Sequence, residues 1–250
     1  MAGHSKWANI KHRKERQDKK RGKVWSKCSR AIIASARAGG PDPETNLTLR
    51  YAIDEAKYAN MPKDTIQRAV QKGAGSAGGD AFESVTYEGY GPSGIAVIVD
   101  TLTDNNTRTV SEVRNIFNKS GGNMGNSGSV AYMFDTKGQI LVEGRASEDA
   151  VMEAALEAGA EDIESPDGDD GFWTVVTDPI DFLKVQDAIK QAGLTITEAE
   201  ISKIPQTTIE VGGDDVRKLM NLIDNLEDND DVQKVYTNAD IPDDELDKLD

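Results

Sequence analysis

Between Lys137 and Ile201 the apolar residues switch repeatedly between a period of two and one of about 3.6, and this order restricts the fold more than anything else in the chain. Gln139–Glu143 alternates as a strand. Glu148–Ala158, behind Ser147 as a cap, puts Val151, Ala155 and Leu156 on one helical face. Ile163–Ser165 and Phe172–Thr177 read as a hairpin around Pro166–Gly171. Pro179–Ala192 carries Phe182, Val185 and Ile189 at helical spacing, and Leu194–Ile201 is again a strand. The two helices end alike, in Ala158-Gly159-Ala160 and Ala192-Gly193-Leu194, which indicates an internal duplication.

The resulting order, βαββαβ, is the ferredoxin-like arrangement. Thr207–Val211, a helix from Asp214 bearing Val216, Leu219, Ile223 and Leu226, and Val232–Thr237 supply a further βαβ, which alone is half a sheet. Upstream, Val85–Tyr90 and Ile95–Leu102 flank the turn Gly91-Pro92-Ser93-Gly94. The second of these strands is almost wholly apolar, which predicts a place in the middle of a sheet. Thr109 with Glu112 predicts a capping box for a helix carrying Val113, Ile116 and Phe117, and Ser129–Asp135 reads as a strand. Joined, the two unpaired halves make a second βαββαβ set.

Before these strands the period is helical. Trp25, Cys28 and Ile32 fall three or four apart until Gly39-Gly40-Pro41. Asn46 can cap a second helix with Leu49, Ile53 and Ala56 inward, and Pro62 suits the first turn of a third, which carries Ile66, Ala69 and Val70 and ends at Gly73. Gly73–Gly79 is a linker by composition. The expectation is an α+β multidomain chain: an N-terminal helical domain, then two ferredoxin-like α/β domains, one inserted in the other. The boundaries follow as 1–77 for a basic arm plus helical domain, 78–136 with 205–238 for a discontinuous middle domain, 137–204 for the insert and 239–250 for an acidic tail.

Charge is distributed as unevenly as structure. Residues 1–37 hold twelve Lys and Arg against Glu15 and Asp18, a net +10, whereas the whole chain is −15, so that residues 38–250 carry −25. Such fields act on partners rather than on architecture. Residues 1–22 lack a steady apolar period, which predicts a segment that a partner orders. Lys6, Trp7, Lys11, His12, Arg13, Lys14, Arg16, Lys19, Lys20, Arg21, Lys23, Lys27 and Arg30 form the candidate nucleic-acid contact, cations for phosphates with interleaved rings for bases. The plainer reading is a solvated tail with Trp7 and Trp25 in a helical core.

Candidates for catalysis are few. His4 and His12 both lie in the basic segment, where no buried carboxylate is at hand to orient an imidazole. Cys28, on an apolar helical face beside Lys27 and Arg30, is a core residue or a thiol whose pKa those cations lower. As the single cysteine it forms no intramolecular disulfide, and no metal site is expected. Asp167-Gly168-Asp169-Asp170 is too short for a calcium loop. Gly121–Gly128 lacks the Gly-Lys-Ser/Thr ending of a phosphate loop and precedes a strand, so it reads as a flexible loop, with the RNA backbone as a candidate partner. Asn106 and Arg108, in a polar turn, are either structural or a second contact. The longest apolar run, Ile95–Val99, is far short of a membrane span, and the opening residues lack a secretory apolar core, so a cytoplasmic location is expected.

Several ordered motifs carry a resemblance. The opening from Met1 to Lys14, Asn60-Met61-Pro62-Lys63-Asp64, Tyr87–Pro92, Asn106-Thr107-Arg108-Thr109, Gly128–Tyr132 and Met152–Ala160 are similar to motifs of the YebC/PmpR family, and the likeness runs from residue 1 to about 238. It implies three domains, no enzymatic activity, no catalytic residues and no cofactor. Members are described as DNA-binding transcriptional regulators, and some as ribosome-linked translation activators. The family's most constant basic positions fall here on Lys6, Lys11, His12, Arg13, Lys14, Lys20, Arg21 and Lys23. The expected function is therefore a non-enzymatic nucleic-acid-binding regulator of gene expression, with DNA or ribosomal RNA as partner and the ribosome a further candidate. The alternative is a small-ligand-sensing or protein-interaction module built on ferredoxin-like domains. Oligomeric state and the choice between DNA and RNA stay open at this level.

Overall fold

A computed structural model describes residues 21–75, 82–166 and 171–246. The contact residues Lys6 to Lys20, most of the partner-ordered segment, most of the Gly-rich linker and the 167–170 turn lie outside these.

Three helices form the first unit: α1 (Arg21–Gly39), α2 (Leu47–Tyr58) and α3 (Lys63–Ala74). α1 is described from Arg21 onward, ahead of Trp25, the first residue of its apolar period. Asn46 caps α2 as its position suggests, accepting from Leu49 N at 3.1 Å, while its amide donates to the carbonyls of Ser35 and Gly40, each at 2.8 Å. One side chain thus closes both the end of α1 and the start of α2. Cys28, Ile32, Ala36, Leu49, Ala56, Ile66 and Ala69 fill the core. Gly73 is required where α3 crosses α1, because a Cβ there would lie 2.6 Å from the Ile33 carbonyl oxygen and 2.7 Å from Ala36 Cβ.

The first sheet contains β1 (Glu83–Tyr90), β2 (Ala96–Thr103), β3 (Asn123–Met124) and, from far along the chain, β9 (Val232–Thr237), in the order β3-β1-β2-β9 and antiparallel throughout. The apolar β2 sits between β1 and β9, as its composition requires. Helices α4 (Asn106–Lys119) and α7 (Asp214–Glu227) cover one face, with Val113, Phe117, Leu219 and Ile223 against Val97, Val99 and Val235. On the other face Ile98 and Tyr236 meet Val130 and Phe134.

Between β3 and β9 the chain builds a second sheet: β4 (Phe134–Glu143), α5 (Glu148–Ala158), β5 (Ala160–Glu164), β6 (Phe172–Thr177), α6 (Phe182–Gln191) and β7 (Ile196–Pro205). The order β5-β6-β4-β7, all antiparallel, is the ferredoxin-like one. Gly159, at φ 108°, supplies the left-handed residue that ends α5 and lets β5 begin at once.

Three local expectations differ. Residues 131–133 form a single 3₁₀ turn, and Phe134 and Asp135 already belong to β4, paired with Pro205 and Ile204. Of the stretch Thr207–Val211 only Ile209–Glu210 (β8) is a strand, and it pairs in parallel with β10 (Ala239–Asp240) instead of entering the first sheet. The final short helix α8 (Asp243–Leu246) brings Glu245 to accept from Gly213 N at 2.9 Å, at the start of α7, so the end of the described chain is folded back. The third concerns α4, which Asn105 caps by accepting from Arg108 N at 3.1 Å. Thr109 is buried, and its hydroxyl lies 2.7 Å from an Asp231 carboxylate oxygen, which removes it from the capping role.

The helical unit rests on the second sheet through α2. Tyr51 meets the Phe182 ring edge-on at 5.6 Å, Arg50 pairs with Asp187 at 3.3 Å, and the Gln186 amide donates to the Tyr58 hydroxyl at 3.0 Å.

Candidate nucleic-acid interface

Lys23, Lys27 and Arg30 are four and three residues apart, so one face of α1 carries all three. That face meets the carboxyl end of α7. Lys23 Nζ donates to the Asp228 carbonyl at 3.0 Å, Lys27 Nζ to that of Glu227 at 2.6 Å, and Arg30 Nη1 to that of Asp230 at 2.6 Å. A helix ends in unpaired carbonyls with about half a negative charge, so three cations there satisfy both needs together. Burial pulls the Lys27 ammonium below its ordinary pKa, against the raising effect of Glu227, Asp228 and Asp230. Of the contact residues inferred from sequence, these three are engaged within the molecule. Arg21 opens the helix, and the remaining members precede it.

Asp231 extends the clamp. Its carboxylate accepts from Arg30 Nη1 at 2.9 Å, Arg108 Nη2 at 2.6 Å, Thr109 at 2.7 Å and Thr103 at 3.2 Å. Only 6% of this side chain is exposed. Burial would push the carboxyl up, but the hydrogen bonds from Arg108 and Thr109 and the charges of Arg108 and Arg30 outweigh it and hold its pKa below the ordinary value. Arg108 also pairs with Asp104 at 2.9 Å, and Asn106 accepts from the Tyr87 hydroxyl at 2.6 Å. The two residues of the candidate second contact thus hold the start of α4 in place, while Arg108 stays 43% exposed.

A second ionic junction joins all three units. Lys234 of β9 pairs with Glu200 of β7 at 2.8 Å and Glu55 of α2 at 3.3 Å. Burial works against its charge, but the two carboxylates hold the ammonium well above its ordinary pKa. Lys203 pairs with Asp100 and stands 5.1 Å over the Tyr236 ring. A cavity of about 100 Å³ opens here, lined by Tyr51, Glu55, Phe182, Gln186, Glu200 and Lys234 among others.

Cys28 is buried in the helical core. Burial and the nearby Glu55 push its thiol up to about 12, and Lys234 and Lys27 do not reverse this. It is a packing residue. Two features escaped sequence reasoning, the buried carboxylates Asp231 and Glu88. Their composition carries no signal, since Asp and Glu are abundant throughout.

A helical unit clamped by its cations onto two antiparallel α+β sheets, one nested in the sequence of the other, defines the architectural class. The chain belongs to the TACO1/YebC family: its N-terminal domain model matches residues 5–76 and the model of its second and third domains matches residues 82–239. A Syntrophotalea carbinolica protein named "Probable transcriptional regulatory protein" is 53% identical over 100% of this chain and 99% of its own length. A Polynucleobacter asymbioticus protein of the same name is 56% identical over 96% of this chain and 99% of its own. The crystal structure of a conserved hypothetical protein from Aquifex aeolicus superposes with a TM-score of 0.80 at 44% identity, covering 90% of this chain and 92% of that one. Among the described residues no helix is long and apolar enough to cross a membrane.

Proposed function

We propose that this protein is a non-enzymatic, nucleic-acid-binding regulator of gene expression that acts in the cytoplasm, with residues 6–21 as its grip on phosphates. The observation that carries this reading is the division of labour along the basic segment. Lys23, Lys27 and Arg30 serve to seat α1 on α7, whereas the cations from Lys6 to Arg21 precede that clamp. The −25 charge of residues 38–250 disfavours indiscriminate adhesion to a polyanion, and the net +6 of residues 6–21, ahead of the clamp, suits a partner that accepts it. The names of the relatives agree with regulation. Regulation through RNA, on the ribosome or a messenger, suits a segment of cations and rings without a helix-turn-helix or zinc finger better than reading a major groove does.

The test is a salt titration of affinity for single-stranded RNA and duplex DNA. With about six to eight phosphates neutralised, log affinity falls against log salt with a slope of roughly −5 to −7 for duplex DNA and roughly −4 to −6 for single-stranded RNA. Association that is indifferent to salt contradicts the proposal.

A further inference from the structure

With Asp or Glu at 44 of 250 positions, places without them are informative. The two longest stretches lacking either are residues 19–41, which include α1, and residues 113–134. The second is far from the basic segment in sequence. It comprises the second half of α4, the edge strand β3 and the loop leading to β4. Arg114, Asn115, Asn118, Lys119, Asn126 and Ser127 are exposed along it. Among the described residues none of these side chains has a hydrogen-bond or ion-pair partner.

The loop expected from its glycines to be flexible is instead built on Glu88. This buried carboxylate of β1 accepts from Gly128 N at 2.7 Å and from Val130 N and Ala131 N, each at 2.8 Å. The Glu88 carbonyl accepts from Gly125 N at 2.8 Å. At the edge, a Cβ on Gly122 would lie 2.6 Å from the Tyr90 carbonyl oxygen, so a glycine lets the loop close on β1. Just beyond stands Tyr132, 69% exposed and unusually open for so large a ring. A surface ordered before binding loses little freedom on contact.

The chemistry of this surface is two cations among many amides and hydroxyls. Duplex DNA is held chiefly by neutralising phosphates, for which two cations are few. Single-stranded RNA adds 2′-hydroxyls and unpaired base edges that match amides and hydroxyls, and bases that stack on an exposed ring. The geometry points to the outer face of α4, the β3 edge and residues 125–132 as a contact surface for single-stranded RNA, acting alongside the basic segment. This rests on the nucleic-acid reading above and names both the second surface and the nucleic acid.

The experiment measures fluorescence anisotropy of a labelled oligouridylate, with the oligothymidylate of equal length and a labelled DNA duplex as comparisons, on the full chain. Asn118→Asp with Asn126→Asp changes charge at nearly constant shape, and Gln67→Glu with Gln191→Glu places the same charge on exposed positions of α3 and α6, outside this surface. The first pair is expected to weaken oligouridylate binding by roughly tenfold more than the second. Asn118→Lys with Asn126→Lys is expected to tighten it, which keeps the test decisive if the acidic pair unfolds. Equal effects of the two acidic pairs on a folded chain, or no gain from the lysines, overturn the surface while leaving the basic segment intact. A larger loss for duplex DNA than for oligouridylate overturns the assignment to RNA. Absence of binding by the unmodified chain to all three probes overturns the functional reading itself.

Discussion

Arg30 and Asp231 are joined at 2.9 Å across 201 positions of sequence, and through that contact the basic helix is fastened to the end of the first sheet. Asp231 is also held by Arg108 and Thr109, so one carboxylate orders α1, α4 and the approach to β9 together. The basic segment therefore starts from a fixed place on an acidic body.

Replacing Asp231 by Asn removes the charge that both guanidinium groups face. Breaking a buried pair costs about 3–5 kcal/mol, but Arg108 is 43% exposed and can be hydrated, so a loss of about 2–3 kcal/mol is expected. Urea unfolding measures it. A loss under about 0.5 kcal/mol, the ordinary surface range, would contradict the role given to this residue.

Acid sensitivity follows from the two buried carboxyls. Asp231 and Glu88 both have pKa values below the ordinary range; for Glu88, burial raises it but the Gly128, Val130 and Ala131 amides lower it further. Each group binds fewer protons folded than unfolded, so its stabilisation is complete above the unfolded pKa of about 4 and is lost as pH falls through the lower folded value. Glu88→Gln should lower stability at pH 6 and make the fall between pH 5 and 2 shallower. A variant with the full acid dependence of the unmodified protein would refute this.

Lys27→Met keeps the aliphatic stem and removes a charge that burial disfavours. Its nucleic-acid affinity and salt slope should match those of the unmodified chain, because Lys27 sits on the Glu227 carbonyl. Lys11→Ala should instead make the slope shallower by about 0.7 to 0.9. Equal losses from both substitutions would place Lys27 on the nucleic acid.

Gly73→Ala tests the crossing of α1 and α3. A methyl group 2.6 Å from the Ile33 carbonyl forces the helices apart, at a cost of about 1–3 kcal/mol despite the better helix propensity of Ala. Thermal unfolding reads the effect, and an unchanged midpoint would show that the crossing is slack.

How far the fold could be read from sequence depended on whether the signal was local. The βαββαβ order of the second sheet, the Asn46 cap and the central place of β2 all come from periodicity and turn chemistry within a dozen residues. Thr109 misled because a Thr three residues before a Glu looks like a cap, whereas its hydroxyl is needed by Asp231, 122 positions away. Residues 131–133 failed as a strand because Val130 and Ala131 give their amides to Glu88, which bends the chain into a turn. For the interface, the helical spacing of Lys23, Lys27 and Arg30 was visible, but their partner, the end of α7, was not. Charge alone does not separate a cation that meets phosphate from one that meets a helix terminus.

On the proposed reading, the cations ahead of the α1 clamp hold a phosphate backbone. The most direct measurement of this is the salt dependence of single-stranded RNA affinity for the chain with Lys11, Arg13, Lys14, Lys20 and Arg21 all changed to Ala. The slope should become shallower by roughly 3 to 4 relative to the unmodified protein, with the thermal unfolding midpoint retained. A folded variant with the original affinity and slope would contradict the account.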